Sequence, residues 1–386
     1  MPDMPPIEDE LNACTMCGYC VPVCPPYQEI LWEDATPRGK IFFMKQYDGR
    51  SLLDLIMRRP IKLDHEFAKA VYECTSCGHC EEVCMVDIPF TRLWDQVKAW
   101  IVDRGIAPMA EHRHLYENVV KEHNILGEPH SKRGDWMAGA DVKQAEWPDV
   151  LLWVGCMQSY RQQRVAAAAV KILNTAGVKY RVLGTEEWCS GSPLIRVGYA
   201  RLVEKQLMPH NLSAVAGTGA KAMVTTCAEC YRTFVRDYRE FGGTPPFAVY
   251  HMTEFVSKLV SEKKLKFTKK MEKKVAYHDP CHLGRHCNCY DAPRDAMKWV
   301  TGLQRLEIDP NKNQALCSGG AGGFPEAFPR QADGIAARRL EQAGKTGADL
   351  LVTACPFARE RLNDAAKKQG GGLDTIDIVE LLADAL

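Results

Sequence analysis

The chain has no surplus of either charge and no apolar run long enough to cross a bilayer. Forty-nine Lys plus Arg offset forty-nine Asp plus Glu over 386 residues. A chain that grips phosphate backbones carries a basic excess, so nucleic acid is not an expected partner. The most apolar stretches, such as Val150 to Cys156 and Val165 to Val170, fall far short of the roughly 20 residues that span a membrane. The first thirty residues carry no secretory pattern. The expectation is a cytoplasmic chain whose membrane contact, if any, runs through partner proteins. Its 46% hydrophobic and 25% charged composition is that of a globular protein of two or three domains.

What the chain has in abundance is cysteine, seventeen in all. An odd number without an export signal points away from a disulfide framework and towards metal ligation or redox chemistry. Cys14, Cys17, Cys20 and Cys24 form C-x2-C-x2-C-x3-C, followed by Pro25, and Cys74, Cys77, Cys80 and Cys84 repeat the spacing sixty residues later. In bacterial ferredoxins three closely spaced thiolates hold three corners of a cubane, and the fourth serves the other cluster. The expected sets are therefore Cys14, Cys17, Cys20 with Cys84, and Cys74, Cys77, Cys80 with Cys24. Zinc ribbons pair two cysteines across a longer loop, and a third thiolate two residues on serves no tetrahedral zinc site. Two 4Fe-4S cubanes are the reading. Gly18 and Gly78 let the backbone curl around them.

Between and after the runs the apolar spacing is helical: Leu52, Leu53, Leu55 and Ile56, then Phe67, Ala70 and Val71, then Thr91 to Asp103. An alpha-helical ferredoxin domain over residues 1–104 follows. Residues 105–147 read as a connector, rich in His, Glu, Gly and Pro, with turns at Gly127 and Arg133-Gly134-Asp135. His112, His114, His123 and His130 share no ligand spacing and are expected to be solvated.

The remaining two thirds is a duplication. Val150 to Cys156 is matched by Val275 to Cys281, Cys189-Ser190-Gly191 by Cys317-Ser318-Gly319, and Ala222 to Cys227 by Leu350 to Cys355, at offsets of 125, 128 and 128 residues. Each half alternates short buried strands with amphipathic helices, which predicts a parallel sheet covered on both faces. The expected repeats are 148–270 and 271–386. In such folds ligands sit beyond the strand C-termini. The matched cysteines lie there.

With those motifs in place, the chain resembles the iron-sulfur proteins with paired cysteine-rich CCG domains. These include the D-type component of heterodisulfide reductase and the iron-sulfur components of glycolate, lactate and anaerobic glycerol-3-phosphate oxidations. The resemblance implies an α+β multidomain fold: a ferredoxin domain, then two α/β CCG repeats, each carrying C, then CCG, then C-x-x-C. It implies an electron-transfer component of an anaerobic complex, such as the one serving benzoyl-CoA reductase, with a flavoprotein or other redox protein as partner. In the heterodisulfide reductases such repeats hold noncubane clusters that cleave a disulfide, which is the alternative function.

The chain departs from that pattern in both repeats. Each CCG has become Cys-Ser-Gly, at Cys189-Ser190 and Cys317-Ser318, and a serine hydroxyl is a poor ligand beside thiolate. Cys156, Cys189, Cys227 and Cys230 still make the four that one cubane needs. In the second repeat Ala358 stands opposite Cys230, leaving Cys281, Cys317 and Cys355, with Cys287 and Cys289 as extra candidates. Gly319 to Gly323 lacks a phosphate-loop register and reads as close approach to a cluster. His278, His282 and His286 read as buried, hydrogen-bonded histidines or a proton relay. At least three iron-sulfur centres are expected, with a fourth open in the second repeat.

Overall fold

The computed structural model describes residues 4–48 and 65–386. The expected helix at Leu52 to Ile56 lies outside them. The helical reading of the first domain otherwise holds: helices run over Pro37–Asp48 (α1), His65–Tyr72 (α2) and Phe90–Asp103 (α3). The last buries Leu93, Trp94, Val97, Trp100 and Ile101 at three- and four-residue steps, the stripe of a helix facing a core. A buried aspartate ties this domain to the next: Asp95 of α3 pairs with Arg196, which also pairs with Asp237 of its own repeat.

The connector is more ordered than its composition suggests. It forms a helix over Arg113–Glu122 and several short turns of 3-10 helix. Of its four histidines only His114 is exposed. His112 is buried and bonds the Gly323 carbonyl at 2.7 Å. His123 stacks on Trp188, whose other face carries His210. His130 bonds the Thr185 carbonyl at 2.6 Å. The expectation of solvated histidines failed because the connector packs into the seam between domains.

Each half of the remainder is a four-stranded parallel sheet. Strands β1 (Val150–Trp153), β2 (Tyr180–Val182), β3 (Ala222–Thr225) and β4 (Ala248–His251) pair in the order β2-β1-β3-β4. Strands β5 (Lys274–His278), β6 (Gln304–Glu307), β7 (Leu350–Thr353) and β8 (Thr375–Asp377) repeat it as β6-β5-β7-β8. β1 is buried along its whole length, as a parallel strand covered on both faces must be. Even the helix starts match. His251 with Glu254 and Asp377 with Glu380 form capping boxes at the same point of each repeat.

The two sheets meet through crossed helices. Helix Gln163–Thr175 of the first repeat packs on the final helix Ile378–Asp384 of the other, and Met252–Ser261 packs on Asp291–Lys298. The pairs are equivalent under the duplication, so the repeats face each other about a pseudo-two-fold axis. Lys171 closes the first pair by donating to the Ala383 carbonyl at 2.6 Å.

Candidate iron-sulfur centres

The two ferredoxin runs adopt the same curl. Met16 and Gly18 have φ of 60° and 89°, and Ser76 and Gly78 have 51° and 73°. The left-handed conformation is cheap at glycine and strained at Met and Ser, and its recurrence at equivalent positions marks a shape imposed by the motif. Cys14, Cys17, Cys20 and Cys84 line one cavity, and Cys24, Cys74, Cys77 and Cys80 line another. The fourth cysteine of each run thus stands in the other run's cavity. The Ser76 amide donates to the Cys74 sulfur at 3.4 Å. Burial pushes the Cys24 thiol up to about 12. These thiols surround hollows, and among the described residues no three donors close on a single-ion point.

In the first repeat all four cysteines sit past strand C-termini. Cys156 opens a short helix after β1, Cys189 follows β2, and Cys227 caps the helix that carries Cys230 after β3. The Gly191 amide donates to Cys189 at 3.4 Å, the Cys230 amide to Cys227 at 3.5 Å, and the Ser190 hydroxyl to Cys230 at 3.4 Å. Ser190 therefore supports a thiol through its hydroxyl. Gly155 has φ of 81°, and a β-carbon there would lie 3.4 Å from the Cys230 sulfur.

One residue of this centre comes from the connector. Arg133 is almost wholly buried, with its guanidinium nitrogens 3.8 and 3.9 Å from the Cys156 sulfur. It donates to Glu187 at 2.6 Å, and Glu187 also accepts from the Val154 and Gly155 amides at 2.9 and 2.8 Å. The hydrogen bond from the Cys189 thiol, helped by this guanidinium, outweighs burial and pulls Cys156 down to about 6, while Cys189 is pushed up. Sequence reasoning saw Arg133 only as part of a turn, and no spacing links it to Cys156.

The second repeat is built differently. Cys317 lies against both Cys281 and Cys77; the Cys281 thiol and burial push it up to about 12, against the lowering influence of Cys77. The Gly319 amide donates to Cys317 at 3.2 Å. Cys281 and Cys317 pack in the core shared with the first domain, whereas Cys355, Cys287 and Cys289 pack in the core between the repeats. Cys355 lies within electrostatic range of Cys227 and Glu229. Cys287 and Cys289 lie close to Tyr231 and Glu254. Cys317 thus lies beside Cys281 and Cys77, while the other three candidates, Cys355, Cys287 and Cys289, pack on the side of the repeat that faces the first repeat. The chain after Cys281 turns towards the first repeat, which carries both later cysteines away.

The glycine run and the histidines clamp the domains. A β-carbon on Gly322 would press on Thr75 and Ser76, and one on Gly323 would lie 2.3 Å from Val197. Only Gly319 approaches a thiol. Arg285 donates to the Cys77 carbonyl at 2.8 Å, and His286 bonds the Ser76 carbonyl at 2.9 Å. His278 accepts from Arg339 at 3.1 Å. His282 is buried with neither ring nitrogen hydrogen-bonded. Burial holds all three imidazoles neutral.

Known proteins share this order of domains. Residues 10–88 match the family model of a 4Fe-4S dicluster domain, and residues 150–235 and 275–359 each match that of the CCG cysteine-rich domain. The chain is 36% identical to the D-type component of the dihydromethanophenazine:CoB–CoM heterodisulfide reductase of Methanosarcina mazei, over 98% of this chain and 94% of that protein. It is 28% identical to EtfAB:quinone oxidoreductase of Syntrophomonas wolfei, over 98% of this chain and 58% of that protein. It is 27% identical to the B-type component of the fumarate reductase (CoM/CoB) of Methanothermobacter marburgensis, over 97% and 72%. A solved structure of a hypothetical protein from Helicobacter pylori aligns with 90% of this chain and 76% of its own, at 11% identity and a TM-score of 0.47. With its dicluster domain and two cysteine-rich domains in the same order along nearly the whole length, the chain belongs to the heterodisulfide reductase D-type family of iron-sulfur electron-transfer proteins.

Proposed function

We propose that the chain is the relay component of a multi-protein oxidoreductase, carrying electrons singly from an outer partner to the seam between its domains. Cys14, Cys17, Cys20 and Cys84 would hold one cubane, and Cys24, Cys74, Cys77 and Cys80 a second. Cys156, Cys189, Cys227 and Cys230 would hold a third. Cys281 and Cys317 begin a fourth site that lacks a full thiolate set of its own. When bound, the clusters supply one-electron carriers whose potentials are set by burial, charge and hydrogen bonds to sulfur.

The observation that carries this reading is the contact between Cys77 and Cys317. It sets the inner ferredoxin cavity against the second repeat. Arg285 and His286 hold that loop by its carbonyls, so the junction is rigid. The partner on the outer side is a flavoprotein or a quinone-linked protein. The heterodisulfide reductase named among the relatives supports a second reading, disulfide cleavage in the C-terminal repeats. Ser190 and Ser318 weigh against it, since each stands where that family's motif has a second thiolate.

Anaerobically purified chain is expected to bind about twelve irons, four per cubane at three sites. A value near eight would remove the first repeat as a centre. Rapid reduction of a small disulfide by the reduced chain alone would favour the second reading.

A further inference from the structure

The seventeen cysteines are unevenly shielded, and only Cys17 is exposed. The cavity that Cys17 shares with Cys14, Cys20 and Cys84 also has Met16 and Arg38 in its wall. Those two residues form part of a second, open groove of about 660 Å³, floored by Leu31, Trp32, Phe42 and Phe43. The groove and the outermost thiol thus share a wall.

The surface around them is apolar to an unusual degree. Among the described residues nine large hydrophobic side chains are exposed, and seven of them lie here. Leu31, Trp32, Phe42 and Phe43 line the groove. Tyr19, Met85 and Val86 rim the thiol cavity. Trp32 is 68% exposed and Met85 75%. Scattered apolar residues are ordinary on a surface, but a contiguous patch beside a functional group marks an interface. Aromatic and Met side chains are also those enriched in interface cores.

We propose that this groove is the docking site of an electron-carrying partner protein, which inserts an apolar plug between Trp32 and Phe43 and so brings its own redox centre to the Cys17 edge. The proposal rests on the relay reading above. Charge selects a protein over a bilayer. The charged groove residues are Glu33, Asp34 and Arg38, and Glu33 is already paired with Arg38. That leaves the half-buried Asp34 carboxylate, so the groove is net negative. Membrane-seating faces carry Lys and Arg for anionic headgroups. A protein plug carrying one cationic side chain would balance the charge of Asp34 from the groove.

The test uses the full cluster-loaded chain within its native complex. A photo-cross-linking residue is placed at Trp32, and a control at Trp147, which is 81% exposed and outside the groove. Position 32 is expected to cross-link to a co-purifying protein that itself carries a flavin, haem or iron-sulfur centre, and position 147 is not. In parallel, Trp32→Ser/Phe43→Ser is expected to slow electron exchange with that protein at least tenfold. Reduction by dithionite, a small donor that needs no docking, reads the relay separately. Failure of dithionite to reduce the wild-type chain would overturn the relay reading itself. Normal reduction by dithionite with unslowed partner exchange in the double variant would overturn the docking site alone. So would a cross-link from position 32 to lipid, to a second copy of this chain or to its own residues 49–64.

Discussion

Replacing Arg133 with methionine tests whether a connector side chain tunes the first-repeat centre. Methionine keeps much of the volume and removes the charge together with both contacts to the Cys156 sulfur. Breaking one side of a buried ion pair costs about 3–5 kcal/mol. Glu187 keeps its two backbone donors, which puts the expected loss at the lower end, about 3 kcal/mol. The charge term is separable from that loss. A unit charge about 4 Å away is worth about 4 kcal/mol at an effective dielectric of 20, and proton uptake by the unpaired Glu187 offsets part of its loss. A remainder of roughly 1.4 kcal/mol corresponds to about 60 mV for one electron. One centre should therefore become harder to reduce by about that amount, with the others unmoved. Redox titration followed by EPR reads the potential, and thermal denaturation reads the stability. The double variant Arg133→Met/Glu187→Gln should recover part of the stability and bring the potential part of the way back, because the unpaired negative charge goes too. If stability falls and every potential stays at its wild-type value, Arg133 is a structural strut and the tuning argument is wrong.

Other outcomes follow from the same geometry. Cys24→Ala should abolish the EPR signal of the centre held by Cys74, Cys77 and Cys80 and spare that of Cys14, Cys17 and Cys20; loss of the latter alone would reverse the pairing. Cys317→Ser should alter iron content or spectra, whereas Cys287→Ser and Cys289→Ser should leave both unchanged, because the latter two sit between the repeats; iron loss in either would return them to the ligand set. Burial holds His112 and His251 down to about 4, so the unfolded chain binds the extra protons. Their contribution is complete above about pH 6.5 and falls as pH drops towards 4, by up to roughly 3 kcal/mol for each. Denaturant midpoints measured across that window should fall in acid, and should fall less for His112→Gln.

Much of the architecture was legible because it rests on short-range patterns. Cysteines at steps of three and four residues state a cluster loop by themselves, and the reading of a two-run ferredoxin domain and two cysteine-rich repeats agrees with the family models. Continuous apolar strands at matched offsets gave away the duplicated parallel sheets, since a strand buried on both faces leaves that signature in any context. The histidines of the connector were misread for the converse reason. Nothing in the local composition of residues 105–147 says that the segment lies in a seam.

What the sequence determined, then, was the inventory: how many thiols, in which runs, on which repeating frame. Tertiary structure decided which thiols meet. Cys355 and Cys281 are equally well registered with the first repeat, yet only Cys281 shares a core with Cys317. Cys77 reaches Cys317 across 240 residues because glycines at 322 and 323 let the backbones of three domains close up. Arg133 reaches Cys156 because the connector packs against the two helices that follow β1. Spacing along a chain specifies local loops; the partner of a side chain across a domain seam depends on how whole faces pack, and that is a property of the assembled surfaces.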